Sequence, residues 1–139
     1  MTKRVAAHID VAISAELCIR AIQAALGDAR LREAHRALRP GKEYTGWVTA
    51  LVPGRHVELT FAALDPSTRR RTHALGWRVT YDFAPADGGR TRVEVGIEYG
   101  LLASLAAAGT LRAQAENDIA HRLAGLHALE VGVYGGAAP

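Results

Sequence analysis

Two runs of strict alternation around a glycine turn constrain this chain more than any other feature. Trp77, Val79, Tyr81 and Phe83 alternate with Arg78, Thr80 and Asp82. After the turn, Val93, Val95, Ile97 and Tyr99 face the same way, with Arg92, Glu94 and Glu98 on the other side. A period of two sends successive side chains to opposite faces, so each run is a strand with one apolar face. Between them lies Ala86-Asp87-Gly88-Gly89, whose glycines supply the positive φ that tight hairpins need. A hairpin with one apolar face needs something to cover it.

The rest of the chain supplies more sheet and a cover. Val5, Ala7, Ile9 and Val11 alternate with Ala6, His8 and Asp10, which predicts a first strand over Val5–Val11. Ser14 is placed to cap a helix running to about Leu26, and Gly27 to end it. Asp28 can cap a second short helix, Ala29 to about Leu38, before Pro40-Gly41 breaks the chain. Tyr44–Val52 reads as a strand closed by Pro53-Gly54. Val57, Leu59 and Phe61 alternate in the next strand, and Asp65-Pro66-Ser67 turns the chain into the long strand that ends at Phe83. Leu111, Ala115, Ile119, Leu123, Leu126 and Leu129 then recur at helical spacing over Thr110–Glu130. An extra turn over Leu101–Ala108 is compatible with that helix. The fold class is therefore α+β: a curved antiparallel β-sheet gripping a long C-terminal helix, with two short helices after strand 1. We expect a single domain over residues 1–134 and a disordered tail over 135–139.

Composition limits the functions open to such a domain. Of 139 residues, 49% are apolar and 22% charged, which excludes a disordered chain and permits a core without staples. A formal charge of +3 is too mild to imply nucleic acid, and no DNA partner is expected. The short basic run Arg69–Arg71 follows a turn and reads as a solvated rim, with engagement of an anionic membrane or ribosomal RNA as the alternative. Cys18 has no partner for a disulfide and sits among apolar residues, so a buried, reduced thiol is expected. His8 and Asp10 interrupt any signal-like apolar run. No stretch approaches the roughly 18 apolar residues of a membrane span, so stable membrane insertion is not expected. A cytoplasmic protein is the expectation.

The order of elements resembles the START-like (SRPBCC, helix-grip) superfamily, from Val5 to about Val133. The residues that carry the resemblance are GWRVTYDFAPADGGRTRVEVGIEY, Gly76–Tyr99, followed by TLRAQAENDIAHRLAGLHALE as the gripping helix. The pattern is most similar to small bacterial members of unknown function. No catalytic motif travels with it. The resemblance implies that the space between sheet and helix holds an apolar or amphipathic ligand.

Several residues could give that space chemistry. Counting 100° per residue from Leu111 puts Arg122 about 20° away, inside the apolar stripe, with Asp118 at its edge. An isolated buried charge is costly. Arg122 is therefore either a ligand-binding cation or one half of an i,i+4 pair with Asp118 that snorkels to the rim. Tyr81 and Tyr99 lie on the inward face and could donate hydrogen bonds, and Trp47 and Trp77 could form flat walls. Extending the inward register backwards from Trp77 brings in His73, unless Gly76 marks a bulge that reverses it. His73 and Arg122 are thus the catalytic candidates. Trp47, Trp77, Tyr81, Tyr99, Asp118 and Arg122 are the ligand-binding candidates. No metal and no cofactor is expected: the histidines are scattered, and His121 and His127 do not share a helix face.

Three readings follow, the last of them an interaction module whose helical or basic surface docks on a macromolecule with the cavity packed shut. The first is binding of a hydrophobic or amphipathic small molecule in a cavity between sheet and C-terminal helix, as a carrier or sensor. The alternative is a polyketide cyclase/aromatase-like or dehydratase-like enzyme using the same cavity, in which Arg122 and a tyrosine polarise a ketone while His73 moves a proton. A homodimer is left open.

Overall fold

The computed structural model describes residues 2–26, 43–64, 68, 71–100 and 108–134; several side chains, those of 71–76 among them, lie outside that description. The elements run β1 (Thr2–Val11), α1 (Ala15–Leu26), β2 (Glu43–Val52), β3 (His56–Leu64), β4 (Arg71–Pro85), β5 (Thr91–Gly100) and α2 (Ala108–Tyr134). The strands form one curved antiparallel sheet in the order β1-β5-β4-β3-β2. Among the described residues there are two α-helices, a short one after β1 and the long C-terminal one. The second short helix expected over 29–38, and the expected tail, lie outside the described residues. So do the turn at 65–67 and the basic residues Arg69 and Arg70.

Local chemistry sets the joints. The Leu17 N–H donates to Ser14 Oγ at 3.2 Å, satisfying one of the free donors in the first turn of α1. The β2–β3 turn closes with the Arg55 N–H donating to the Val52 carbonyl at 3.0 Å, and Gly54 takes φ 73°. In the β4–β5 hairpin, Gly88 and Gly89 take φ 73° and 72° inside a short 3-10 turn, Asp87–Gly89. The Ala86 N–H donates across its base to the Arg90 carbonyl at 2.8 Å.

Register separates the two faces of the sheet. Gly46 lies opposite Phe61, and Phe61 opposite Trp77, along one inner rung. The next rung carries Trp47, Thr60, Arg78, Glu98 and Arg4 on the outer face. The inner face is dry: Val57, Leu59, Val79, Val93, Val95 and Ile97 are essentially fully buried. The outer face is a ladder of alternating charge. Arg78 bridges Glu58 at 3.5 Å and Glu98 at 3.6 Å, and Arg4 meets Glu94 at 3.4 Å. This division is the alternation of the sequence made physical.

One strand breaks the pattern. Phe61 pairs with Trp77 and Ala63 with Thr72, so residues 73–76 of β4 stand against Ala62 alone. The irregularity anticipated at Gly76 is therefore wider than a single-residue bulge, and parity cannot be carried back from Trp77 to His73.

Helix α2 covers the inner face, with its backbone nearest β1 and β5. Ala115, fully buried, allows the close approach, and Ile119 and Leu126 extend the contact. Near its C-terminus Glu130 pins the helix down. Its Oε1 accepts from the Ala12 N–H at 3.0 Å and from Arg90 at 3.4 Å, and Arg90 also donates to the Asp10 carbonyl at 2.8 Å. The turn after β1, the β4–β5 hairpin and α2 are joined at that point.

Candidate functional site

Where α2 leans over the sheet, a chain of polar side chains crosses an otherwise apolar interior. Asp118 and Arg122 are one turn apart on α2, so both project from the same side of the helix. Trp77 and Tyr81 rise from β4 on the inner face. Arg122 Nε donates to Asp118 Oδ1 at 3.1 Å. Trp77 Nε1 donates to the other carboxylate oxygen, Oδ2, at 3.3 Å. Arg122 also donates from a terminal nitrogen to the Tyr81 hydroxyl at 2.9 Å. The helix backbone lies over β1 and β5, and these long side chains reach across to β4.

Both readings of Arg122 are answered together. The i,i+4 pair with Asp118 forms, but it does not snorkel: the two side chains are 8% and 15% exposed. Burial pushes the guanidinium pKa down, yet the combined pull of Tyr81 and Asp118 outweighs it and holds Arg122 above its ordinary value. The cation is thus fixed in its charged form. Its carbon also lies 5.5 Å from the Phe61 ring centroid and 6.0 Å from that of Tyr81, a cation–π arrangement sheltered from water.

Aromatic rings line the same region. Trp77 stacks on Tyr99 with centroids 6.0 Å apart and planes at 27°. Tyr81 and Tyr99 are each 4% exposed. Among the described residues the Tyr81 hydroxyl accepts from Arg122 and has no acceptor for its own hydrogen. The Tyr99 hydroxyl makes no hydrogen bond among the described residues. Such buried hydroxyls are uncommon in a filled core. At the β2 end of the inner face Leu51, in register with Val57, is 43% exposed.

Of the residues expected at the site, Trp77, Tyr81, Tyr99, Asp118 and Arg122 come together. Trp47 does not. It pairs with Thr60 on the outer rung, so it stands on the face opposite Trp77 and cannot wall the same space. The side chain of His73 lies outside the described residues. Phe61 was not among the expected site residues, although the alternation of its strand put it inward. The signal was Gly46 opposite it: the Phe61 ring occupies the space a Cβ at Gly46 would take. A second titratable pair, His56 and Asp82 at 2.6 Å, belongs to the outer face.

No protein-family model matches the sequence, and no curated protein is significantly similar to it. Solved structures do resemble the fold. The Zhui aromatase/cyclase from Streptomyces sp. R1128 aligns over 100% of both chains at 14% identity, with a TM-score of 0.50. The Aha1 dimer from Colwellia psychrerythraea aligns over 94% of this chain and 98% of its own at 17% identity, with a TM-score of 0.57. A Thermus thermophilus protein, TTHA0849, covers 95% and 99% at 16% identity, with a TM-score of 0.50. At these identities the likeness is one of fold alone: a curved antiparallel sheet gripping a long C-terminal helix.

Proposed function

We propose that this chain binds a hydrophobic or amphipathic small molecule between the inner face of the sheet and α2, as a carrier or sensor. The observation that carries the reading is the buried Trp77–Asp118–Arg122–Tyr81 chain. A buried ion pair contributes little net stability, and apolar side chains of similar volume often serve a core as well or better. A few convergent polar groups amid apolar and aromatic walls are what a small-molecule site requires. The exposed inner-face Leu51 supports an entrance at the β2 end. We place the protein in the cytoplasm, which suits a chain whose one cysteine is a free, buried thiol. No helix among the described residues is long and apolar enough to cross a membrane.

A second reading has one observation in its favour. Arg122 holding the Tyr81 hydroxyl is an arrangement that can polarise a ketone, and the Streptomyces neighbour is an aromatase/cyclase. An enzyme of cyclase or dehydratase type would use the same space.

Native mass spectrometry of the protein purified from the cells that make it tests the binding function. A stoichiometric adduct released by denaturation is expected, and Tyr81→Phe with Arg122→Met should lose it. An adduct retained unchanged in that double variant would place the ligand elsewhere.

A further inference from the structure

We infer that the group this site reads on its ligand is an uncharged carbonyl oxygen, as in a ketone, ester or amide, and not a carboxylate or phosphate. The inference rests on the proposed binding function and narrows it to a ligand class.

The first ground is charge. A lone arginine in an apolar pocket invites an anion, but Arg122 is not alone. Both oxygens of Asp118 are engaged, one by Arg122 at 3.1 Å and one by Trp77 at 3.3 Å. Among the described residues the positive charge is answered where it sits, by a carboxylate nearly as sheltered, 15% exposed against 8%. An incoming anion would leave the cluster net negative in a low-dielectric space, and an uncompensated buried charge is costly. The site therefore discriminates against the ligand that a bare arginine would select.

The second ground is the hydrogen left over. Tyr81 accepts from Arg122, so its own O–H points away from the guanidinium. It has no acceptor among the described residues. Accepting from a cation polarises that O–H and makes it a better donor. A carbonyl oxygen is the matching partner, because it accepts and carries no hydrogen or charge of its own. Phe61 and the stacked Trp77 and Tyr99 flank the position and suit a flat, conjugated carbonyl compound.

Three probes of nearly equal shape test this: 2-acetylnaphthalene, 2-naphthoate and 2-ethylnaphthalene, titrated into the full chain by calorimetry near neutral pH. The ketone should bind roughly tenfold or more tightly than the carboxylate and than the hydrocarbon. Tyr81→Phe, which removes only the hydroxyl, should bring the ketone down to the hydrocarbon while leaving the hydrocarbon unchanged. Asp118→Asn should raise naphthoate affinity relative to the ketone. Naphthoate binding the native protein as tightly as the ketone would overturn the inference. So would a ketone preference that survives Tyr81→Phe. Binding of all three without preference overturns the ligand class alone; binding of none overturns the proposed function with it.

Discussion

A buried guanidinium must have its charge answered where it sits, and for Arg122 the answer is Asp118, one turn away. Removing that answer should be costly. Asp118→Ala is expected to lower stability by about 3–5 kcal/mol, because it removes the carboxylate that answers a buried cation. Replacing both partners, Asp118→Leu with Arg122→Met, should recover most of that loss; urea denaturation of the three proteins checks it. Cys18 is predicted to be inert for a related reason. Burial pushes its thiol up to about 11, so a disulfide reagent at about pH 8 should label it only as fast as the fold opens. Labelling at the rate of a free thiol would contradict its place in the core. At this scale the sequence showed Asp118 and Arg122 on one helical face, because helical geometry is local. It did not show how deep they lie, because depth depends on how closely Ala115 lets the helix approach the sheet. Trp47 was misplaced for a different reason. Strand parity depends on register with β3, and Tyr44–Val52 has no clean alternation from which to read it.

Among the elements, the strands meet at points where one side chain fills the space another gives up. Phe61 lies across Gly46, and any Cβ there would collide with its ring. Gly46→Val should therefore cost about 1–3 kcal/mol by overpacking and displace the ring from Arg122. Gly100, at the end of β5, has nothing among the described residues in the place of a Cβ, so Gly100→Ala should leave the melting temperature nearly unchanged. A Gly46 variant as stable as the Gly100 variant would mean the ring has room to move. The β4–β5 hairpin and the cap of α1 were legible because each is settled by neighbours in sequence: glycines at positive φ and a serine before a helix. The break at 73–76 was only half legible. Gly76 marked a weak point, but its width is set by how β4 must bend to pair with both β3 and β5.

At the scale of the whole molecule the sheet has two characters, a charged ladder outside and an apolar face inside, and the strand order closes the arrangement. Asp10 belongs to the outer ladder. Its hydrogen bond from Arg92, at 3.0 Å, is the main reason its pKa lies below the ordinary 3.8. A depressed carboxylate stabilises the fold fully above its unfolded value, and the contribution is lost as pH falls through the folded value. Thermal stability should thus fall as pH drops below the ordinary carboxylate value of 3.8 and on through the lower folded value, and Asp10→Asn should flatten that part of the profile. An unchanged profile would mean that the Asp10–Arg92 bond adds no pH-dependent stability. The order β1-β5-β4-β3-β2 was not readable from alternation, which gives each strand a face but no neighbour. The clamp of Glu130 on Ala12 and Arg90 was equally hidden, since it joins residues far apart in the chain.

The chain carries two tryptophans, and the sheet sets them on opposite faces, so it contains its own reporters of where a ligand goes. An amide-detected NMR titration with 2-acetylnaphthalene follows both indole N–H signals at once. The Trp77 indole, bonded to Asp118, should shift and saturate while that of Trp47 stays in place. A Trp47 signal that moves, or a Trp77 signal that does not move while the probe binds, would contradict a site between sheet and helix.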